Sequence, residues 1–211
     1  MANDKILFQG DSITDCGRLQ EARAGFPHHG LGPGYPGIVT GQLQLAHPEM
    51  EFENFNMGIS GNNIYDLYAR WRRNTLDLDP DMLSVLIGVN DSSLESRTAA
   101  YGEDPLSYGT VYRALLGWCR KMNPNIRFVL LEPFLLPRNE EHHQWKVVLK
   151  KRQEELRLIA GEFDAVFIDL QRIFDEACKI KPSEFWSADG VHPSLAGHHL
   201  IANEWVAKVK F

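Results

Sequence analysis

The chain has 211 residues, 44% of them hydrophobic, and a formal net charge of −6 at pH 7. That size and apolar content suit one domain able to bury most of its apolar surface, so residues 1–211 are expected to form a single unit. The acidic balance and the scattered Lys and Arg exclude a basic face for phosphate backbones, so no nucleic-acid partner is expected. Cys16, Cys119 and Cys178 lie far apart with no Cys-x-x-Cys spacing, which reads as reduced thiols, neither a disulfide framework nor a zinc site. The start, "MANDKILFQGD", has no basic region leading into a long apolar run, and no segment approaches membrane-spanning length. A cytoplasmic protein with no membrane partner is the expectation.

In chain order, short apolar runs alternate with helical patterns. Strands are expected at Lys5–Gln9, Glu51–Asn56, Met82–Ile87, Ile126–Leu131 and Ala165–Asp169, several continuously apolar, as strands covered on both faces tend to be. Helices are expected at Ile38–Leu45, Asn63–Thr75, Val111–Met122, Gln144–Glu162 and Leu195–Val209, with Pro48, Pro80 and Pro124 marking ends. This alternation implies a parallel, doubly wound α/β sheet. Two connections, residues 19–34 and 91–107, read as loops of more than usual length, the kind that shape a pocket at one rim.

Ligands of open parallel sheets bind beyond the carboxyl ends of the strands. The residues there are "GDSI" (10–13), "NMGISGNN" (56–63) and "GVND" (88–91), and before the last helix stands "DGVHP" (189–193). Each has a purely structural reading. Ser12 with Asp15 fits a Ser-x-x-Asp capping box. Gly58 and Gly61 fit turns of positive φ, Asn62 and Asn90 are turn formers, and Asp189 fits an Asx-turn before Gly190. The His pairs at 28/29, 142/143 and 198/199 are poor metal ligands, because adjacent residues do not face the same way, and no metal or other cofactor is expected.

Their coincidence at one rim points to chemistry. A serine hydroxyl needs an imidazole to take its proton, and the imidazole needs a carboxylate to fix its tautomer. His192 and Asp189 supply both for Ser12. Attack on an ester carbonyl creates an oxyanion that requires preorganised donors, for which the Ser12 amide, the Gly58 amide and the Asn90 carboxamide are the candidates. The Gly-x-Ser-x-Gly elbow is absent, so the arrangement differs from that of an α/β-hydrolase.

Four blocks in order, "FQGDSITD", "NMGISG", "IGVND" and "DGVHPSLAGH", resemble those of the SGNH hydrolases, also called the GDSL esterase/lipase family. The resemblance implies a flavodoxin-like three-layer α/β/α sandwich with a five-stranded parallel sheet. It also implies Ser12 as nucleophile, His192 as base, Asp189 as its partner, and Ser12, Gly58 and Asn90 as oxyanion donors. Within that family, "GDSITDCGR", "LGPGY", "NMGISGN", "LYARW" and "DGVHPSLAGH" resemble carbohydrate esterases of the acetylxylan esterase type. Asp11, Trp186, Phe134 and Tyr35 are candidates for contacting the substrate, with Tyr65 and Tyr101 similarly placed. The expected substrate is a small-molecule or oligosaccharide ester, with a homo-oligomer compatible with the sequence. The alternatives are a lysophospholipase or thioesterase for longer acyl chains and a catalytically silent sugar-binding module.

Overall fold

A computed structural model describes residues 3–19, 30–98 and 107–211. Its strands are β1 (Asn3–Gly10), β2 (Glu51–Asn56), β3 (Met82–Leu86), β4 (Arg127–Leu131) and β5 (Val166–Ile168). Its helices are α1 (Ser12–Asp15), α2 (Tyr35–Ala46), α3 (Ile64–Asn74), α4 (Val89–Thr98), α5 (Tyr108–Met122), α6 (Glu140–Glu162), α7 (Leu170–Ala177), α8 (Ser183–Trp186) and α9 (Leu195–Lys208).

The strands are all parallel, in the order β2-β1-β3-β4-β5. Successive residues of a strand face opposite layers, and the core divides accordingly. Ile6, Phe8, Val129 and Leu131 pack under α2, α7 and α9, whereas Leu7, Phe128 and Leu130 pack under α3, α5 and α6. Leu67 and Leu116 are fully buried on the second face, and such burial stabilises by about 1.5–3 kcal/mol per side chain. The result is the three-layer α/β/α sandwich expected from the sequence. β3 is buried at all its positions, and its one polar side chain, Ser84, accepts a hydrogen bond from Trp205 Nε1 at 3.0 Å.

The strand order reverses at β1, whose two neighbours are β2 and β3, so the chain leaves β1 and β3 in opposite directions. That opens a crevice at their carboxyl ends. Ser12 follows β1 and Asn90 follows β3, one on each side of it.

The expected loop at 91–107 is in part a helix. α4 escapes a periodicity reading because "VNDSSLESRT" has no apolar stripe. It is held instead by Val89, packed with Leu135 and Leu149, and by an ion pair from Glu95 to Arg152 of α6. α7 and α8 were likewise not expected. α6 starts at Glu140 rather than Gln144 because Asn139 caps it, its side chain accepting from His142 N–H at 2.8 Å.

Candidate active site

The turn after β1 is built around close approach. A Cβ on Gly10 would lie 2.3 Å from Leu86 O, so only glycine lets β1 pass into α1 here. Asp11, not Ser12, caps α1, its Oδ1 accepting from Ile13 N–H at 3.0 Å. The other half of the supposed capping box is also engaged elsewhere, for Asp15 Oδ2 accepts from the Ser60 N–H and hydroxyl at 3.0 and 2.9 Å. The Ser12 hydroxyl is therefore free of capping duty and meets His192 Nε2 at 2.8 Å.

His192 and Asp189 are joined through a tight loop between α8 and α9. Asp189 Oδ1 accepts from the backbone N–H groups of Val191 and His192 at 2.9 and 2.8 Å, and from the Ser187 hydroxyl at 3.3 Å. Its Oδ2 lies 2.6 Å from His192 Nδ1. Partial burial would raise the Asp189 pKa, but the hydrogen bonds from the His192 ring and from both backbone N–H groups win and hold it at about 2. An ionised carboxylate only accepts, so Nδ1 carries the imidazole proton and Nε2 is left to accept from Ser12. Gly190 permits the loop through positive φ (88°) and through contact, since a Cβ would meet Leu136 O at 2.2 Å. Arg138, from the segment after β4, braces the loop by donating to Ser187 O and to Ser183 Oγ.

Across the crevice, Gly58 lies against α1. A Cβ there would stand 2.4 Å from Asp15 N, so it is close approach and not positive φ that demands glycine. Its N–H donates to Asn56 Oδ1 at 2.9 Å, while Asn56 Nδ2 donates to Thr14 O and Leu31 O. In this resting arrangement the Gly58 amide is engaged by protein, and it reaches a ligand only by sharing that bond. Asn90 lies in the first turn of α4, and one of its amide hydrogens goes to Asn62 O at 2.9 Å, which leaves the other without a partner among the described residues. Next to it, Asp91 Oδ1 accepts from Ile64 N–H at 3.0 Å. Two adjacent residues of α4 are thus clipped to the 62–64 turn.

Behind these donors sit groups whose place in the site the sequence reading missed. Arg70 of α3 donates to Asn62 Oδ1, Gln9 Oε1, Met57 O and Gly10 O at 2.7, 2.9, 2.8 and 3.1 Å. Its only sequence signal was an arginine three residues past Leu67 and beside Trp71, on the buried side of an amphipathic helix. Arg18 Nε donates to Gly58 O at 2.9 Å. Asp11 and Asp91 are 1% and 3% exposed, and each has a buried Oδ2 with no hydrogen-bond partner among the described residues. Burial raises both carboxyls, Asp11 to about 7 and Asp91 to about 6, and the Asp91 charge adds to the rise at Asp11.

The chain as a whole is similar to known proteins. Residues 8–200 match the GDSL-like Lipase/Acylhydrolase family. An acetylxylan esterase of Geobacillus stearothermophilus is 32% identical over 211 residues, covering 100% of this chain and 95% of the relative. The chain belongs to this GDSL-like family. It is a carboxylic ester hydrolase. The crystal structure of the Geobacillus enzyme superposes with a TM-score of 0.84 at 31% identity, covering 99% of this chain and 94% of that one. A structure described as a GDSL-like lipase from Parabacteroides merdae superposes with a TM-score of 0.83 at 37% identity, covering 97% and 94%. Catalytic mutants of the Geobacillus enzyme have been solved with a serine, an aspartate or a histidine replaced by alanine, the histidine three positions after the aspartate. Asp189 and His192 have that spacing.

In this GDSL-like enzyme the expected substrate contacts fare unevenly. Asp11 is a correction: its carboxyl is buried and caps α1. Tyr35 is another. It is 0% exposed, its hydroxyl 3.1 Å from Thr14 Oγ1 and its ring edge-on to Phe8. Phe134, also 0% exposed, stacks on Phe174 with centroids 4.0 Å apart and fills core rather than pocket. Trp186 is partly buried and turns its indole N–H inward, to Ala177 O at 3.0 Å. Its neighbour Phe185, 49% exposed, is the aromatic left facing solvent beside the acid–base loop. Tyr65 sits in the first turn of α3, half-buried against the second core, and Tyr101 lies outside the described residues. His198 is a core histidine: Nδ1 accepts from Tyr35 N–H at 3.2 Å and Nε2 meets Cys16 Sγ at 3.3 Å.

Proposed function

We propose that this esterase attacks small acyl esters with Ser12 and removes O-acetyl groups from xylo-oligosaccharides or related carbohydrates through an acyl-enzyme. The unbroken line from Asp189 through His192 to Ser12, with contacts of 2.6 and 2.8 Å, carries the reading. Ser12 Oγ adds to the acyl carbonyl while its proton passes to His192 Nε2, and Asp189 stabilises the imidazolium. The oxyanion is received by the Ser12 N–H and the free hydrogen of Asn90, with the Gly58 N–H sharing itself between Asn56 and the ligand. Collapse sends the proton from Nε2 to the departing sugar oxygen, and water repeats the sequence to release acetate.

Two observations support the substrate class. The nearly full-length Geobacillus relative is described as an acetylxylan esterase and, for one of its variants, as an acetyl-xylooligosaccharide esterase. The His192 and Asp189 side chains are 52% and 56% exposed, which leaves the alcohol half of an ester room to remain in solvent, as a bulky sugar bearing a small acyl group requires. The test is a series of p-nitrophenyl acetate, butyrate and octanoate, joined to mass spectrometry of acetylated xylo-oligosaccharides. We expect kcat/KM to fall about tenfold or more from acetate to octanoate, and the oligosaccharides to lose acetyl groups. A rate that climbs with chain length contradicts the acetyl reading in favour of a lysophospholipase or thioesterase.

A further inference from the structure

The proposed reaction builds a negative charge where the resting site has none. A cation behind the donors stabilises that charge best when no anion already neutralises it. Arg70 meets this condition. Four neutral oxygens take its donors, those of Gln9, Gly10, Met57 and Asn62, and among the described residues it forms no ion pair. Asp66, four positions earlier on α3, acts on it only from a distance, its Oδ2 accepting from Asn63 N–H at 2.9 Å in the helix cap. Arg18, on Gly58 O, adds a second positive charge to the same loop. Holding a half-buried guanidinium without a carboxylate in contact costs free energy that a neutral side chain would avoid.

Two of the Arg70 contacts lead directly to proposed oxyanion donors. Met57 O and Gly58 N–H belong to one peptide unit, so a charged donor on that carbonyl polarises the amide and makes its hydrogen a stronger donor. Asn62 receives Arg70 Nε on its side chain and Asn90 Nδ2 on its backbone carbonyl, so the guanidinium fixes the residue that aims the Asn90 carboxamide. The other backbone contact, Gly10 O, lies two residues before Ser12. We infer that Arg70 is a positioning residue of the oxyanion hole and supplies it with positive charge that no contacting carboxylate neutralises, acting through the Met57–Gly58 peptide and through Asn62 on Asn90. The inference rests on the serine-esterase reading above.

A substitution that leaves Arg70 in place tests it most cleanly. Asn62→Asp keeps the acceptor for Arg70 Nε but gives the guanidinium a carboxylate. A charge role predicts that kcat on p-nitrophenyl acetate falls about tenfold while KM is nearly unchanged and Tm is kept or raised. A purely structural Arg70 would gain an ion pair there and lose no rate, so an unchanged or higher kcat overturns the inference. Arg70→Gln should lower kcat by about 10²-fold, with Arg70→Lys recovering part of the loss because it keeps the charge. Equal losses in both variants, tracking Tm, would also overturn it. Labelling of Ser12 by a serine-directed organophosphonate in the unaltered protein separates the two levels. No adduct on Ser12 defeats the serine-esterase reading itself, whereas an adduct with no effect of Asn62→Asp on kcat defeats only the role of Arg70.

Discussion

The two sides of the candidate site are built in opposite ways. On the acid–base side, Asp189 and His192 stand three residues apart in one loop, with side chains 56% and 52% exposed. On the oxyanion side, Asp11, Asn56 and Asp91 are 1%, 3% and 3% exposed and come from three separate segments. A local Asx-type turn sets the first side, since Asp189 Oδ1 takes the N–H groups of Val191 and His192. Long-range buried hydrogen bonds set the second, from Asn56 to Thr14 and Leu31 and from Ile64 to Asp91. Chemistry and stability are therefore separable on one side and entangled on the other.

The sharpest separation is expected where the triad is cut. Ser12→Ala should lower kcat by about 10⁶-fold and Asp189→Asn by about 10⁴-fold, the latter because the amide favours the wrong histidine tautomer. Melting curves of both variants should stay close to that of the unaltered protein, since neither hydroxyl nor carboxylate is buried in the core. A large fall in Tm would mean that the acid–base side carries fold as well as rate.

Asn90→Ala crosses to the other side. Its kcat should fall about 10² to 10³-fold with KM little changed, and the lost bond to Asn62 O should lower Tm measurably. A lowered Tm with kcat intact would make Asn90 only a turn residue. Asp91→Ala should invert the balance. It strands the buried Ile64 N–H, at a cost of about 1–3 kcal/mol in stability, and a smaller loss of kcat should follow from loosening the first turn of α4. Chemical denaturation beside steady-state kinetics resolves the two, and a loss of kcat exceeding that of Asn90→Ala would contradict the assignment.

The smallest effect concerns pH. Burial first, then the Asp91 charge, raises the Asp11 carboxyl from the usual range near 4 to about 7, so between those values the folded chain holds a proton that the unfolded chain has lost. This group therefore takes stability away as pH rises through that window. Asp11→Asn keeps an oxygen to cap Ile13 N–H and cannot ionise, so its Tm relative to the unaltered protein should improve from pH 5 to about pH 7 and level off above. A difference that does not change with pH would mean that Asp11 is not held protonated.

Much of this was legible in the sequence where local rules govern. The strands announced themselves as apolar runs, α3 and α5 by their stripes, and the acid–base loop by Asp189, Gly190 and Pro193 within five residues. What the sequence hid was decided by distance in the chain. It read Ser12 with Asp15 as the capping pair, whereas Asp11 caps α1, because both residue types cap helices and only the folded turn decides between them. It put Phe134, just past the fourth strand, and Tyr35 at the rim, whereas contacts with Thr14, Phe8 and Phe174 draw them into the core. α4 has no stripe to read, and Arg70 looked like one more charge on an amphipathic helix until its four oxygens were in view. α7 is different, since Leu170, Phe174 and Ala177 do form a stripe that a closer periodicity count would have found.

The most direct test of the central claim is peptide mapping of the unaltered esterase after exposure to a serine-directed organophosphonate. The account predicts a single adduct on Ser12, formed in step with loss of activity, absent in Ser12→Ala and much slower to form in His192→Ala. Inactivation with the adduct on another residue, or full esterase activity in Ser12→Ala, would contradict it.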